Sequence, residues 1–156
     1  MAIRNNIVAE ASELVRRLDN KSTTARRAGQ RRIEKGTEVM AGIARDFAPV
    51  DEGDLEAAIK TRKVREGRRN VFEIYVDESM PGSNGADSVA DYAMIMHERD
   101  YELGPKSQEK DLAIGGNGAG FLFGGKVGPF YMDRAVEVYS AKLQRQVRDA
   151  ISRGLK

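Results

Sequence analysis

Apolar positions fall at helical intervals near both ends of the chain and alternate in strand-like fashion in its middle. Near the start, Ile3, Ile7, Ala11, Leu14 and Leu18 recur every three or four residues with polar residues between them, which predicts an amphipathic helix. Asp19-Asn20-Lys21-Ser22-Thr23 then offers several capping side chains, and Ile33, Gly36, Met40, Ile43 and Phe47 carry the spacing along a second helix. Ala48-Pro49 stops that helix, because the residue before a proline is biased away from helical geometry. Asp51-Glu52-Gly53-Asp54 reads as a turn: Gly53 adopts positive φ at little cost, and the acidic side chains can accept hydrogen bonds from nearby amides.

Leu55 to Val64 is compatible with a strand or a short helix. Glu66 to Asn70 is a turn and Val71 to Asp77 a strand, so a β-hairpin is expected, with Phe72, Ile74 and Val76 on one face, Val71, Glu73, Tyr75 and Asp77 on the other, and one of the two faces packed on the helices. Met80 to Gly85 is a loop, and Asp87 to Glu98 fits a short helix better than a strand. Tyr101 to Gly128 reads as one long connection in which glycine clusters flank Phe121, Leu122 and Phe123; that apolar patch argues for docking onto a neighbouring subunit, with simple flexibility as the alternative. Finally, Met132, Val136, Tyr139, Leu143, Val147 and Ala150 predict a closing amphipathic helix of about six turns that ends at Gly154.

The expected fold is α+β: N-terminal helices and a long C-terminal helix packed on a small, mainly antiparallel sheet, with a long Gly-rich loop. A length of 156 residues suits one domain, divided into a helical region (1–47), a turn, hairpin and short element (48–100), a loop or arm (101–128) and the last helix (129–154).

The absence of cysteine excludes a disulfide framework, thiol catalysis and the common structural zinc sites. Charged residues are 32% of the chain, no apolar run is long enough to span a bilayer, and no charged-then-apolar leader follows Met1, so a soluble, unsecreted protein with no membrane partner is expected. The net charge of +2 hides two poles. Up to Gly36, nine cations including Arg16, Arg17, Arg26, Arg27, Arg31, Arg32 and Lys35 outnumber four acids, whereas Val71 to Asp111 is mostly acidic. Such a distribution suits a subunit that stacks basic face on acidic face, or one that lines a passage for a polyanion; solvated helix faces are the plain alternative.

Chemistry is harder to find. Asp51, Glu52, Asp54 and Glu56 lack the register of a calcium loop, and His97 is the only histidine, so neither a His pair for metal nor a hydrolase triad is supported. Gly124-Gly125-Lys126 is followed by Val127 rather than Ser or Thr, which removes a P-loop reading. No catalytic residue, cofactor or metal ligand is assigned, and a non-enzyme is expected.

Three boxes carry the functional signal: Ala48-Pro49-Val50-Asp51-Glu52-Gly53-Asp54-Leu55, Tyr92-Ala93-Met94-Ile95-Met96-His97-Glu98 and Gly128-Pro129-Phe130-Tyr131-Met132-Asp133-Arg134-Ala135. In kind and order they resemble the tail-completion, or head-to-tail joining, proteins of long-tailed bacteriophages, over a span from about Phe47 to the C-terminus. Glu52 stands where that family usually has Thr, and Arg99-Asp100-Tyr101 replaces its usual Gly-Thr continuation. The resemblance implies a minor virion component that forms a ring, probably hexameric, completes the tail, meets tail-tube and neck or connector proteins, and is assembled in the host bacterial cytoplasm. It also implies structural roles for Pro49, Asp51, Gly53, Leu55, Tyr92, Glu98, Pro129, Phe130 and Ala135. Candidate interface residues are Arg26, Arg27, Arg31 and Arg32 with Phe121, Leu122 and Phe123, and DNA in the lumen is a further possible contact. The alternative function is sequence-independent nucleic-acid binding through the basic N-terminal helices.

Overall fold

The computed structural model describes residues 2–3, 23–50, 52–67, 69–82, 89–99, 101–117 and 126–155. Two long helices dominate them, α1 (Thr23–Phe47) and α5 (Tyr131–Gly154). Between these lie the short helix α2 (Asp54–Ala58), strands β2 (Ile59–Glu66) and β3 (Arg69–Val76), and helices α3 (Val89–Glu98) and α4 (Pro105–Asn117). A two-residue strand, β1 (Ala2–Ile3), completes an antiparallel sheet of order β1-β3-β2. The fold is α+β, with the long helices packed on the sheet.

The α1 stripe predicted from spacing is the buried one: Ile33, Gly36, Met40, Ile43 and Phe47 all lie inside. Met132, Tyr139, Leu143 and Val147 meet it from α5, joined by Ala135 and Ile151, while Val136 and Ala150 are only half-buried. The helices run antiparallel: the Ala25 backbone lies against Gly154 at one end, Gly36 meets Leu143 midway, and the Phe47 carbonyl accepts from the Gly128 amide (3.0 Å) at the other. Burying each large side chain of this seam contributes about 1.5–3 kcal/mol. Thr37, polar and buried within it, donates its hydroxyl to the Ile33 carbonyl (3.0 Å).

The hairpin pairs Ile59 with Val76 at its base and Glu66 with Arg69 at its tip, where Gly67 takes φ 58°. Phe72, Ile74 and Val76 face the core as alternation requires. On the other face Glu73 is also buried, beneath Arg62, whose Nε donates to it at 2.8 Å.

Two expectations need correction. Ile3 belongs to β1, opposite Ile74, rather than to a first helix, because β3 offers it a free edge of amides and carbonyls that outweighs local periodicity; residues 4–22 lie outside the described residues. The span from Tyr101 to Gly128 is not one loop, since 13 of its residues form α4. Hydrophobic spacing could not reveal that helix because polar groups dock it. Ser107 donates to the Val50 carbonyl and accepts from the Val50 amide, both at 2.9 Å, and Asp111 accepts from the Val127 amide at 2.6 Å. Pro105, with fixed φ and no amide hydrogen, suits the first helical position. The arm residues Phe121, Leu122 and Phe123 fall outside the described residues.

Candidate functional site

The three boxes, far apart in sequence, meet at the end of the molecule where α1 stops and α5 begins. Pro49 is buried behind the α1 terminus, Gly53 turns the chain with φ 91°, and Leu55 drops into the core. A helix that ends inside a protein leaves carbonyls in need of donors. Here Gly128 supplies Phe47, while Lys110 of α4 donates to the Arg45 and Ala48 carbonyls at 2.6 and 2.7 Å and pairs with Glu56 of α2. The nearby Asp46 carboxyl is raised from its ordinary range by burial, against the opposing pull of Lys110.

The second and third boxes are bonded to each other. The Phe130 amide donates to the His97 carbonyl (2.8 Å), and the Tyr131 hydroxyl donates to the Ala93 carbonyl (3.3 Å). Arg134 reaches from α5 to the Gly128 carbonyl (3.2 Å) and lies 5.2 Å from the centre of the Phe47 ring, so the third box also holds the end of α1 from which the first box leads off. At Phe130 the backbone takes φ 55°, the only described non-glycine residue with positive φ. Strain of this kind costs about 1–3 kcal/mol and persists where its surroundings over-determine it. Tyr131, fully buried, anchors the last helix, whereas its neighbour Phe130 is 46% exposed.

His97 lies inside the same corner, with the rings of Phe130 and Tyr131 edge-on at 5.7 and 5.0 Å. Its nearest carboxylate, Asp133, is 3.5 Å from Nε2, too long for a good hydrogen bond. Burial lowers the His97 pKa, outweighing the upward pull of Asp133 and Glu98, and Arg134 adds to the lowering. Both His97 nitrogens, the Tyr101 hydroxyl and Arg134 Nε are buried without a hydrogen-bond partner among the described residues. Desolvation pushes Tyr101 up to about 12, raises Tyr131 further, and lowers Arg134.

Outside this corner, α3 turns Val89, Ala93 and His97 inward but exposes Tyr92, Met94 and Ile95 at 38, 47 and 44%. The second box is therefore core-facing on one side only. Glu98 is exposed, Pro129 half-buried, Ala135 fully buried, and Asp51 outside the described residues.

The opposite end of the helix pair is basic. Arg27, Arg31 and Lys35 are exposed along α1, and Arg26 and Arg32 half-buried. The antiparallel packing brings Lys142, Arg145, Arg148 and Arg153 of α5 alongside, all exposed. The sequence pointed to the α1 members and to Arg16 and Arg17, which lie outside the described residues, but not to the α5 cations; the acids interspersed in the last helix mask its local excess, and only the pairing of the two helix ends sums their charge. Among the described residues no group of three His, Cys, Asp or Glu side chains could hold a metal ion, and no helix is long and apolar enough to cross a membrane.

No protein-family model, curated protein or solved structure matches the chain.

Proposed function

We propose that this chain is a structural, non-catalytic virion protein of a long-tailed bacteriophage, which assembles as a hexameric ring that completes the tail and joins it to the head or neck. The observation that carries the reading is the convergence of the three ordered boxes. The helix start (Gly128, Phe130, Tyr131) is tied to the helix end (Ala93, His97) by the Phe130 amide and the Tyr131 hydroxyl, and to the end of α1, where the chain stop (Pro49, Gly53, Leu55) begins, by the bond from the Gly128 amide to the Phe47 carbonyl. This is how spaced motifs serve a scaffold: they fix one corner and leave the surrounding surfaces to make contacts.

The outer face of α3 supports the same reading. A helix that is apolar on its inner side and also exposes Tyr92, Met94 and Ile95 is suited to a position between subunits. Phe130, strained and exposed beside it, is a further candidate contact. In a head-to-tail ring such a face meets a different surface of the next copy, and the rotation closes the ring.

The test is assembly. Analytical ultracentrifugation and negative-stain electron microscopy of the purified protein, alone and with its tail-tube protein, should reveal rings or capped tubes. A monomer that stays inert towards tail components would sink the proposal.

A further inference from the structure

We infer that the joined basic ends of α1 and α5 form a binding surface for the phosphate backbone of double-stranded DNA. Residues 23–36 and 142–155 together hold nine Lys and Arg side chains against two acids, Glu34 and Asp149, a local charge of +7 in a chain whose net charge is +2. The two segments lie side by side, bounded by the contact of Ala25 with Gly154 and that of Gly36 with Leu143. The cations are therefore packed into about 20 Å of helix, a length over which B-form DNA carries about twelve phosphates.

The kind of charge and its surroundings select the partner. Seven of the nine cations are Arg, whose planar fork matches phosphate oxygens in pairs. Arg27, Arg31 and Lys35 recur every four residues, so they form a row along one side of α1. A protein partner would be held by buried aromatic or aliphatic anchors, and the exposed positions here offer only Leu155 at the extreme end. Without base-reading groups the surface fits DNA of any sequence. The hairpin is less suited, because residues 59–77 hold six Lys and Arg side chains against three acids, Glu66, Glu73 and Asp77, a local charge of only +3.

This inference does not depend on ring formation. Fluorescence anisotropy with a labelled mixed-sequence duplex should show binding at 50 mM salt that weakens about 150- to 500-fold by 200 mM, as neutralisation of four or five phosphates requires. Arg145→Glu with Arg148→Glu, on a helix face away from the core, should lower affinity at least tenfold and flatten the salt slope by about two. Lys63→Glu with Arg65→Glu on the hairpin should bind within about twofold of the parent. Thermal melts and sedimentation of each variant separate loss of DNA binding from loss of fold or of assembly. Failure of the parent to bind at 50 mM salt overturns the inference whether or not rings form. Equal loss from the hairpin variant, or displacement of DNA by polyglutamate as effectively as by unlabelled duplex at equal charge, also overturns it.

Discussion

His97 shows how one residue can fold well at neutral pH and become a liability in acid. Its side chain is 3% exposed and neither nitrogen has a hydrogen-bond partner among the described residues, so the neutral ring is what the corner accommodates. Because burial lowers its folded pKa below the ordinary 6.5, the unfolded chain takes up the proton first. The stability contributed by neutral His97 is complete above about pH 6.5, falls as pH drops from there through the folded pKa, and changes no further below it. Asp133, 54% exposed, is too solvated to reverse that sign, and Arg134 reinforces it. His97→Leu should therefore lose less stability than the parent between pH 7 and pH 5 in urea denaturation. An equally steep decline in the variant would remove His97 from the account. Asp77 acts in a separate window: hydrogen bonds from Lys60 and Ser79 hold it at about 2, so its contribution is complete above the ordinary 3.8 and is lost as pH falls from there through about 2.

Between elements, the α1–α5 seam is set by a close approach at Gly36. A methyl group there would come within 2.8 Å of Leu143 Cδ2 and nearer still to Cδ1, and because Leu143 is fully buried its shift must displace packed neighbours. Gly36→Ala should destabilise the protein by about 1–3 kcal/mol, although alanine favours a helix by about 1 kcal/mol elsewhere. Combined with Leu143→Val, the loss should be smaller than the sum of the two single changes, and strict additivity in urea denaturation would show that the seam does not depend on this contact. The helices themselves were legible because their apolar spacing records the face they bury. Helix α4 was not, because Ser107, Lys110 and Asp111 attach it through hydrogen bonds to main-chain groups 16 to 65 residues away, and such bonds leave no periodic trace.

For the whole molecule, the proposed ring places weight on the outer face of α3. Met94→Ser with Ile95→Ser changes exposed positions and should leave the melting temperature nearly unchanged while shifting sedimentation from ring to monomer. Assembly equal to that of the parent would clear α3 of an interface role. The boxes were visible in the sequence as turn and stop signals, but their mutual bonding was not, since nothing in Phe47, His97 or Gly128 alone specifies a partner across 33 to 81 residues. The same holds for the exposed side of the second box: spacing marks which residues of a helix share a face, not which face the rest of the fold covers.

The sequence by itself determined the two long helices, the hairpin and the chain stops at Pro49 and Gly53, because helical period, strand alternation and backbone restriction act within a few residues. Tertiary structure alone decided that Ile3 extends the sheet, that Tyr131 rather than Phe130 is buried at the start of α5, that His97 is enclosed without a hydrogen-bond partner among the described residues, and that two basic helix ends lie side by side. Those outcomes depend on which distant groups compete for the same buried space or add their fields across it, and that competition is resolved only when the chain has closed on itself.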